Sequence, residues 1–392
     1  MVTRRSLLQA STAVAVGAML GCRAEPAPTD PSAGPTTAAG SPPATPSRSA
    51  SPRTTASASG SATPTVPKNP TPEVDGVIAE GLDVPWGITF LASGAALVGE
   101  RGTGRVLQVS PSGRTRTLGE VPGVISPSGQ GEGGLLGLAL APGDEETLFA
   151  YLTTESDNRV VRISLAGGRL GRPREVLTGI PASVNHDGGQ LLFDADGNLL
   201  ISTGDAGNSS LAQDRDSLAG KILRIRPDGR PAAGNPFGNR TWSYGHRNVE
   251  GLAFDAEGRL WATEFGAQDT DELNLIRRGG NYGWPEVEGP SDRDGLTSPA
   301  ASWSPTSSCS PAGVAVAGST AFVGALRGRC LFAVPLDGTR AGEPRAYFEG
   351  EHGRLRTVTL APDASLWVTT SNTDGRGEPG PDDDKILRVR LR

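Results

Sequence analysis

Histidine and cysteine are scarce in this chain of 392 residues, which carries three of each. The histidines stand at 186, 246 and 352 with no close pair among them, so no histidine-based metal motif can be written. A glycine-rich strand-loop-helix for phosphate is missing, and so is a dinucleotide fingerprint opening a helix; nucleotide chemistry has no seat here. Long helix-forming runs are few, whereas Gly 54 and Pro 32 are many, which favours one large all-β unit over two helical domains. Positive charge is not in excess either: the net charge is −6. That excludes general nucleic-acid binding, and any cluster of arginines then calls for a specific anion.

The N-terminus has the order of an export signal. Thr3-Arg4-Arg5-Ser6-Leu7-Leu8-Gln9 sets paired arginines before an apolar stretch that ends at Leu20-Gly21-Cys22, too short to span a bilayer. The arginines resemble a twin-arginine signal, and Met19-Leu20-Gly21-Cys22 resembles a lipobox, with Met where Leu is usual. Residues 1–22 are therefore expected to be a twin-arginine-type lipoprotein signal peptide, lipidated at Cys22; an ordinary buried helix is the alternative. The expected location is the outer face of the cell membrane, held there only by the N-terminal lipid, or secretion. Residues 23–72 are Pro, Ser, Thr, Ala and Gly with almost no large apolar side chain, which predicts a disordered linker. Disulfides persist outside the cytoplasm, so Cys309 and Cys330 are expected to be bridged, with two free thiols as the alternative.

From residue 73 to 392 an internal repeat sets in. Its markers are Gly87-Ile88-Thr89-Phe90, Gly137-Leu138-Ala139-Leu140, Gly189-Gln190-Leu191-Leu192-Phe193, Gly251-Leu252-Ala253-Phe254, Gly313-Val314-Ala315-Val316 and Thr357-Val358-Thr359-Leu360. A turn such as Asp255-Ala256-Glu257-Gly258 and a second apolar run follow most of them, which is a hairpin signal. Six such units with no helical pattern between them predict a six-bladed β-propeller. Val74 to Ala79, ahead of the first marker, is expected to supply the outer strand of the last blade. A β-sandwich also uses short strands, but it gives no reason for six similar units.

In a propeller the residues just ahead of each marker gather at one mouth of the central channel, and the loops after the second strands open on the same face. That register brings together Trp86, Glu132, Asn185 with His186, Arg247 with Asn248, Ser308 to Ser310, Arg327, and Arg354 with Arg356. A solvated rim is the plain reading of such polar loops. Several arginines on one small mouth would repel one another unless an anion such as a polycarboxylate or phosphate sat among them. A lone histidine is more often structural than catalytic, and His246 is read that way; His352 has no role. His186, on a loop at the mouth, is the candidate base. Asp271-Glu272-Leu273-Asn274 followed by Asn281-Tyr282-Gly283-Trp284 offers oxygen ligands suited to calcium, a weak signal from composition alone.

Trp86-Gly87, Glu132-Gly133-Gly134-Leu135-Leu136-Gly137, Tyr244-Gly245-His246-Arg247-Asn248, and Asp271-Glu272-Leu273-Asn274-Leu275-Ile276 through Gly280-Asn281-Tyr282-Gly283-Trp284-Pro285 resemble the soluble quinoprotein glucose and aldose sugar dehydrogenases. The likeness runs through nearly all of residues 74 to 392. It implies a propeller holding pyrroloquinoline quinone and calcium at the channel mouth. It further implies that His186 takes the proton from the anomeric hydroxyl of an aldose while hydride passes to the quinone, giving a lactone and, later, electrons for an external acceptor. By position, Arg247, Asn248, Arg327, Arg354 and Arg356 would grip the quinone, with Glu132, Asn185 and Trp86 near the substrate. Main-chain carbonyls of Gly266 and Ala267 would hold the catalytic calcium, and Glu272 with the Tyr282 carbonyl a second, structural one. Arg327, Asn185, Glu132 and Phe265 depart from the family pattern, and Trp303 to Pro311 fits it poorly. Two other readings stand beside this one: a propeller that binds a sugar or glycan without redox chemistry, and a calcium-dependent lactonase.

Overall fold

The computed structural model describes residues 66–125 and 131–392. The expected signal peptide and Cys22, and the linker as far as residue 65, lie outside the described residues.

Six antiparallel sheets follow one another along the chain. Blade 1 consists of Pro85–Phe90, Ala96–Glu100, Arg105–Val109 and Thr115–Glu120; blade 2 of Leu135–Leu140, Thr147–Thr153, Asn158–Ser164 and Arg174–Ile180. Blade 3 is built from Leu191–Phe193, Leu199–Ser202, Lys221–Ile225 and Thr241–Tyr244, and blade 4 from Val249–Phe254, Leu260–Glu264, Asp271–Ile276 and Ala301–Trp303. Blade 5 comprises Pro311–Ala317, Thr320–Ala325, Cys330–Asp337 and Arg345–Tyr347, with Arg340–Ala341 folded back on the end of its third strand. Blade 6 takes Leu355–Leu360, Leu366–Thr370 and Ile386–Leu391 from the C-terminus and Pro72–Ala79 from the start of the domain. Pro72 pairs with Leu391 and Ala79 with Ile386, so the last sheet closes the ring with the first strand, as the sequence predicts. No α-helix occurs among the described residues.

The repeat has a physical cause at the channel, where first strands of neighbouring blades meet backbone to backbone. A Cβ on Gly137 would stand 2.3 Å from the Gly189 carbonyl oxygen, and one on Gly251 would stand 2.5 Å from that of Ala312. Only glycine fits there. The sixth unit has Thr357 instead, and its hydroxyl donates to the Trp86 carbonyl across the joint between blades 6 and 1. The turns repeat for a related reason: Asp255 Oδ1 accepts from the N–H groups of Glu257 and Arg259, and its Oδ2 from the indole of Trp261.

Each blade is apolar on both faces, and six buried clusters fill the six joints between neighbouring blades. Thr320–Ala325 is buried at every position for that reason. Packing begins earlier than the sequence predicts. Residues 66–72, assigned to the linker, lie on the propeller: Ser319 N donates to Lys68 O at 2.6 Å, and Thr71 N to Arg392 O at 2.7 Å. Backbone pairing compensates there for the shortage of apolar side chains.

The expected bridge between Cys309 and Cys330 is absent. Both are free thiols, buried in the cluster between blades 4 and 5 where each acts as a small apolar side chain. Burial pushes the Cys330 thiol up to about 12 and raises that of Cys309 well above the ordinary value.

Candidate active site

At one mouth of the channel the inter-strand loops enclose a cavity of about 510 Å³. Its wall carries four guanidinium groups, from Arg247, Arg327, Arg354 and Arg376, against two carboxylates, from Glu132 and Asp271. His186, Asn185, Phe265, Gly266, Ala267, Thr306 and Ser310 complete most of the lining. Positive charge therefore exceeds negative inside the cavity, on a protein that is acidic overall.

His186 stands on the loop before blade 3, in left-handed backbone conformation with φ 65°. Two features hold it there: its N–H donates to Glu132 Oε2 at 2.8 Å, and its carbonyl packs so closely on Gly204 that a Cβ on Gly204 would lie 1.9 Å from it. Its ring is oriented by Asp205, whose Oδ1 is 2.6 Å from Nδ1. A carboxylate accepts, so Nδ1 carries a proton, and in the neutral ring the lone pair is then on Nε2. Burial opposes the charge on Asp205, but the bonds from His186, from Trp284 Nε1 at 2.8 Å and from Gly207 N hold its carboxyl below the usual carboxylate range. An imidazole fixed in this way on the wall of a polar cavity can, in its neutral form, accept a proton from a bound hydroxyl through Nε2.

The arginines differ in how far they are committed. Arg354 is buried and tied down, with Nε on the Ser371 carbonyl and Nη2 on Asp374 at 3.0 Å; burial lowers its pKa. Arg247 lies over the Trp284 ring and donates Nη1 to the Phe265 carbonyl, but its buried Nε has no partner among the described residues. Arg327 is exposed at the rim. Asn248 is buried beneath the wall, accepting from Gly188 N through Oδ1, and its Nδ2 is unpartnered. Two buried donors without acceptors, among guanidinium groups, suit an anionic ligand rich in carboxylate and carbonyl oxygen.

Two expected site residues are elsewhere. Arg356 does not line the cavity: it is buried below the floor, with Nη1 2.6 Å from Glu250 Oε2, and borders the channel toward the opposite face. Trp86 is buried in the apolar cluster that fills the joint of blades 2 and 3, with Leu136 in the same cluster, and borders the channel toward the opposite face. Conversely, Asp205, Asp271 and Arg376 belong to the site: the register of the repeat places Asp205 at the mouth without giving it a role, Asp271 is read only as part of a calcium motif, and Arg376 is not foreseen. Asp205 and Asp271 stand in register beside assigned residues, whereas Arg376 lies in a long loop with no repeat to mark it. The segment 303 to 311, which fits the family pattern poorly, contributes Thr306 and Ser310 to the wall, Ser310 N donating to Asp271 Oδ2. Asp271 is itself raised to about 6 by burial.

Glu272 and Tyr282 border a small adjoining cavity together with Glu264, Glu288 and Gly266. Burial first, and then the Glu264 carboxylate, lift Glu272 to about 8. Next to it the buried Asn274 Oδ1 accepts no hydrogen bond. Carboxylates crowded beside an unpartnered amide oxygen suit a hard cation. Among the described residues no group of three or more His, Cys, Asp or Glu side chains is arranged to hold a metal, so calcium on either side of this wall would rely on carbonyl and amide oxygens as well. His246 is structural, bonded to Ser243 Oγ and Glu264 Oε2 and fully buried.

Comparison with known proteins places this geometry. A sequence model described as Glucose / Sorbosone dehydrogenase matches residues 82–387. The PQQ-bound form of aldose sugar dehydrogenase from Streptomyces coelicolor is similar in structure, with TM-score 0.79 and 47% identity over 84% of this chain and 100% of that one. Aldose sugar dehydrogenase YliI of Escherichia coli is 30% identical over 76% of this chain and 90% of its own length. Quinoprotein glucose dehydrogenase B of Acinetobacter calcoaceticus is 31% identical over 56% of this chain and 54% of that protein.

Proposed function

The chain belongs to the glucose/sorbosone dehydrogenase family, and we propose that it is a pyrroloquinoline quinone-dependent dehydrogenase that oxidises aldose sugars at the anomeric carbon to lactones. The observation that carries this reading is one cavity holding both an oriented imidazole, His186 on Asp205, and the guanidinium groups of Arg247, Arg327 and Arg354.

Arg247, Arg327 and Arg354 would hold the quinone through its carboxylates, with the free Nε of Arg247 and Nδ2 of Asn248 as donors to its oxygens. Calcium would be held by carbonyl oxygens of Gly266 and Ala267, and a second ion by Glu272, Asn274 Oδ1 and the Tyr282 carbonyl. When bound, the quinone supplies a two-electron acceptor for the hydride leaving the sugar, and calcium supplies Lewis acidity. His186 Nε2 receives the proton of the anomeric hydroxyl, and the imidazolium so formed is stabilised by the Asp205 carboxylate on Nδ1. Glu132 and Asn185 line the same cavity as that imidazole and would stand beside the sugar ring. An external acceptor would then remove the electrons. The N-terminal motifs support export with lipidation at Cys22, which would place the propeller outside the cytoplasm.

The test is an absorption titration of the apo-protein with quinone and calcium, then with a panel of aldoses. Saturable quinone binding followed by bleaching of the oxidised chromophore on sugar addition is expected. A protein that does not take up the quinone is not this enzyme; one that binds it without reduction by any aldose keeps the cofactor and loses the substrate.

A further inference from the structure

The loop between the second and third strands of blade 6, residues 371–385, carries an arginine that reaches the loops before blades 2 and 3. Arg376 Nη1 lies 2.9 Å from Glu132 Oε1, and its Nη2 lies 3.4 Å from Asn185 Oδ1. The other oxygen of Glu132, Oε2, accepts the main-chain N–H of His186. That N–H belongs to a residue at φ 65°, a conformation that non-glycine side chains disfavour and that persists only where neighbours impose it. At its other end Arg376 is anchored by its own N–H on Asp374 Oδ1 at 2.9 Å, while Oδ2 of the same aspartate holds Arg354. One continuous chain of polar contacts thus joins the arginine at the quinone side of the cavity to the backbone of the base.

We propose that Arg376 is a positioning residue for His186, acting through Glu132 to hold the base in its left-handed backbone conformation at the cavity wall. The inference rests on the reading of His186 as the base. Glu132 is suited to the task because it is acceptor-only when ionised and its two oxygens point to two different donors. Burial disfavours its charge, yet the bonds from His186 and Arg376 hold its carboxyl below the ordinary range, so the strut stays ionised. Without the guanidinium, Glu132 loses one of its two donors and the His186 loop loses its tether to blade 6. The base then samples orientations that do not reach the substrate hydroxyl. Geometry of this kind acts on the rate of the bound complex and not on affinity for the quinone.

The experiment compares Arg376→Ala, Arg376→Lys, Glu132→Ala and the double variant Arg376→Ala/Glu132→Ala. For Arg376→Ala, kcat is expected to fall on the order of tenfold to a hundredfold while the quinone Kd stays within about twofold. Lysine, which keeps the charge, should restore part of the loss. In the Glu132→Ala background the second substitution should cost less than about twofold, because the pathway is already cut. Independently of turnover, ring resonances of His186 are followed in histidine-labelled apo-protein, where the three histidines are sorted with a His186→Ala control. They should shift or broaden in Arg376→Ala and in Glu132→Ala alike. Additive losses in kcat, or unaltered His186 resonances in a folded Arg376→Ala protein, would overturn the proposal. A wild-type protein that binds no quinone would overturn the functional reading instead, and the resonance comparison would still decide this one.

Discussion

His186 Nδ1 and Asp205 Oδ1 lie 2.6 Å apart, and the second oxygen of the same carboxylate is pinned by the Trp284 indole from blade 4. The aspartate is therefore fixed from two sides before it orients the imidazole. His186→Ala is expected to lower kcat by roughly 10²–10⁴-fold, the usual weight of a general base, while quinone still titrates normally. Asp205→Asn, which keeps the shape and loses the charge, should lower kcat on the order of tenfold or more without changing quinone affinity. Rapid-mixing measurement of quinone reduction checks both; turnover in His186→Ala at the native rate means that the base is another group.

Arg354 and Arg356 make opposite predictions. Arg354→Ala removes a charged donor from the cavity and should weaken quinone binding by about 1.5–3 kcal/mol in a titration followed by absorbance. Arg356→Ala should leave that titration nearly unchanged. It strands the Glu250 carboxylate, which is 5% exposed and whose pKa burial already raises, and should cost about 3–5 kcal/mol of folding stability in chemical denaturation. Replacing Glu250 and Arg356 together by leucine should recover most of that loss. A large change in quinone affinity for Arg356→Ala would return this residue to the cofactor site.

These two arginines also mark how far the sequence could be read. The repeat is legible because glycine stands where first strands meet in five of the six units, and its register locates His186, Arg247 and Arg354 at one mouth. Simple alternation places residues 354 and 356 on the same face. The pairing of Leu355–Leu360 with its neighbour is irregular between Leu355 and Val358, however, and Arg356 turns below the cavity floor. The same irregularity between Pro85 and Ile88 accompanies the displacement of Trp86. A bulge of this kind leaves no mark in apolar periodicity. Arg376 was out of reach for a different reason, since a contact between positions 376 and 132 depends on ring closure and not on local pattern.

The cysteines give a chemical check on the packing of blades 4 and 5. Both thiols are buried, and burial keeps them protonated, so neither should react with iodoacetamide in the native protein. After unfolding without reductant, peptides containing Cys309 and Cys330 should each carry the label in mass spectrometry. A linked pair of peptides would restore the bridge expected from the sequence.

Asp187, the residue after the base, ties stability to pH. Its carboxyl is raised from 3.8 to about 6, first by burial and then by the Glu132 carboxylate, against bonds from Asn158 and Ser183 that favour the charge. Its Oδ2 is buried with no partner. A carboxyl whose folded value lies above its unfolded one binds more protons in the folded state, so its contribution to stability declines as pH rises from about 4 to 6 and stays low above that. The gap of about two units corresponds to roughly 3 kcal/mol. In Asp187→Asn the amide oxygen still accepts from Asn158 and Ser183, and the cost of placing an NH₂ where Oδ2 was is the same at every pH. The difference in unfolding free energy, variant minus wild type, should therefore grow in favour of the variant between pH 4 and 7. The slope and not the offset is the measurement: a flat difference across that range would mean that Asp187 ionises in the folded protein as it does in the unfolded chain, and that a polar partner reaches Oδ2.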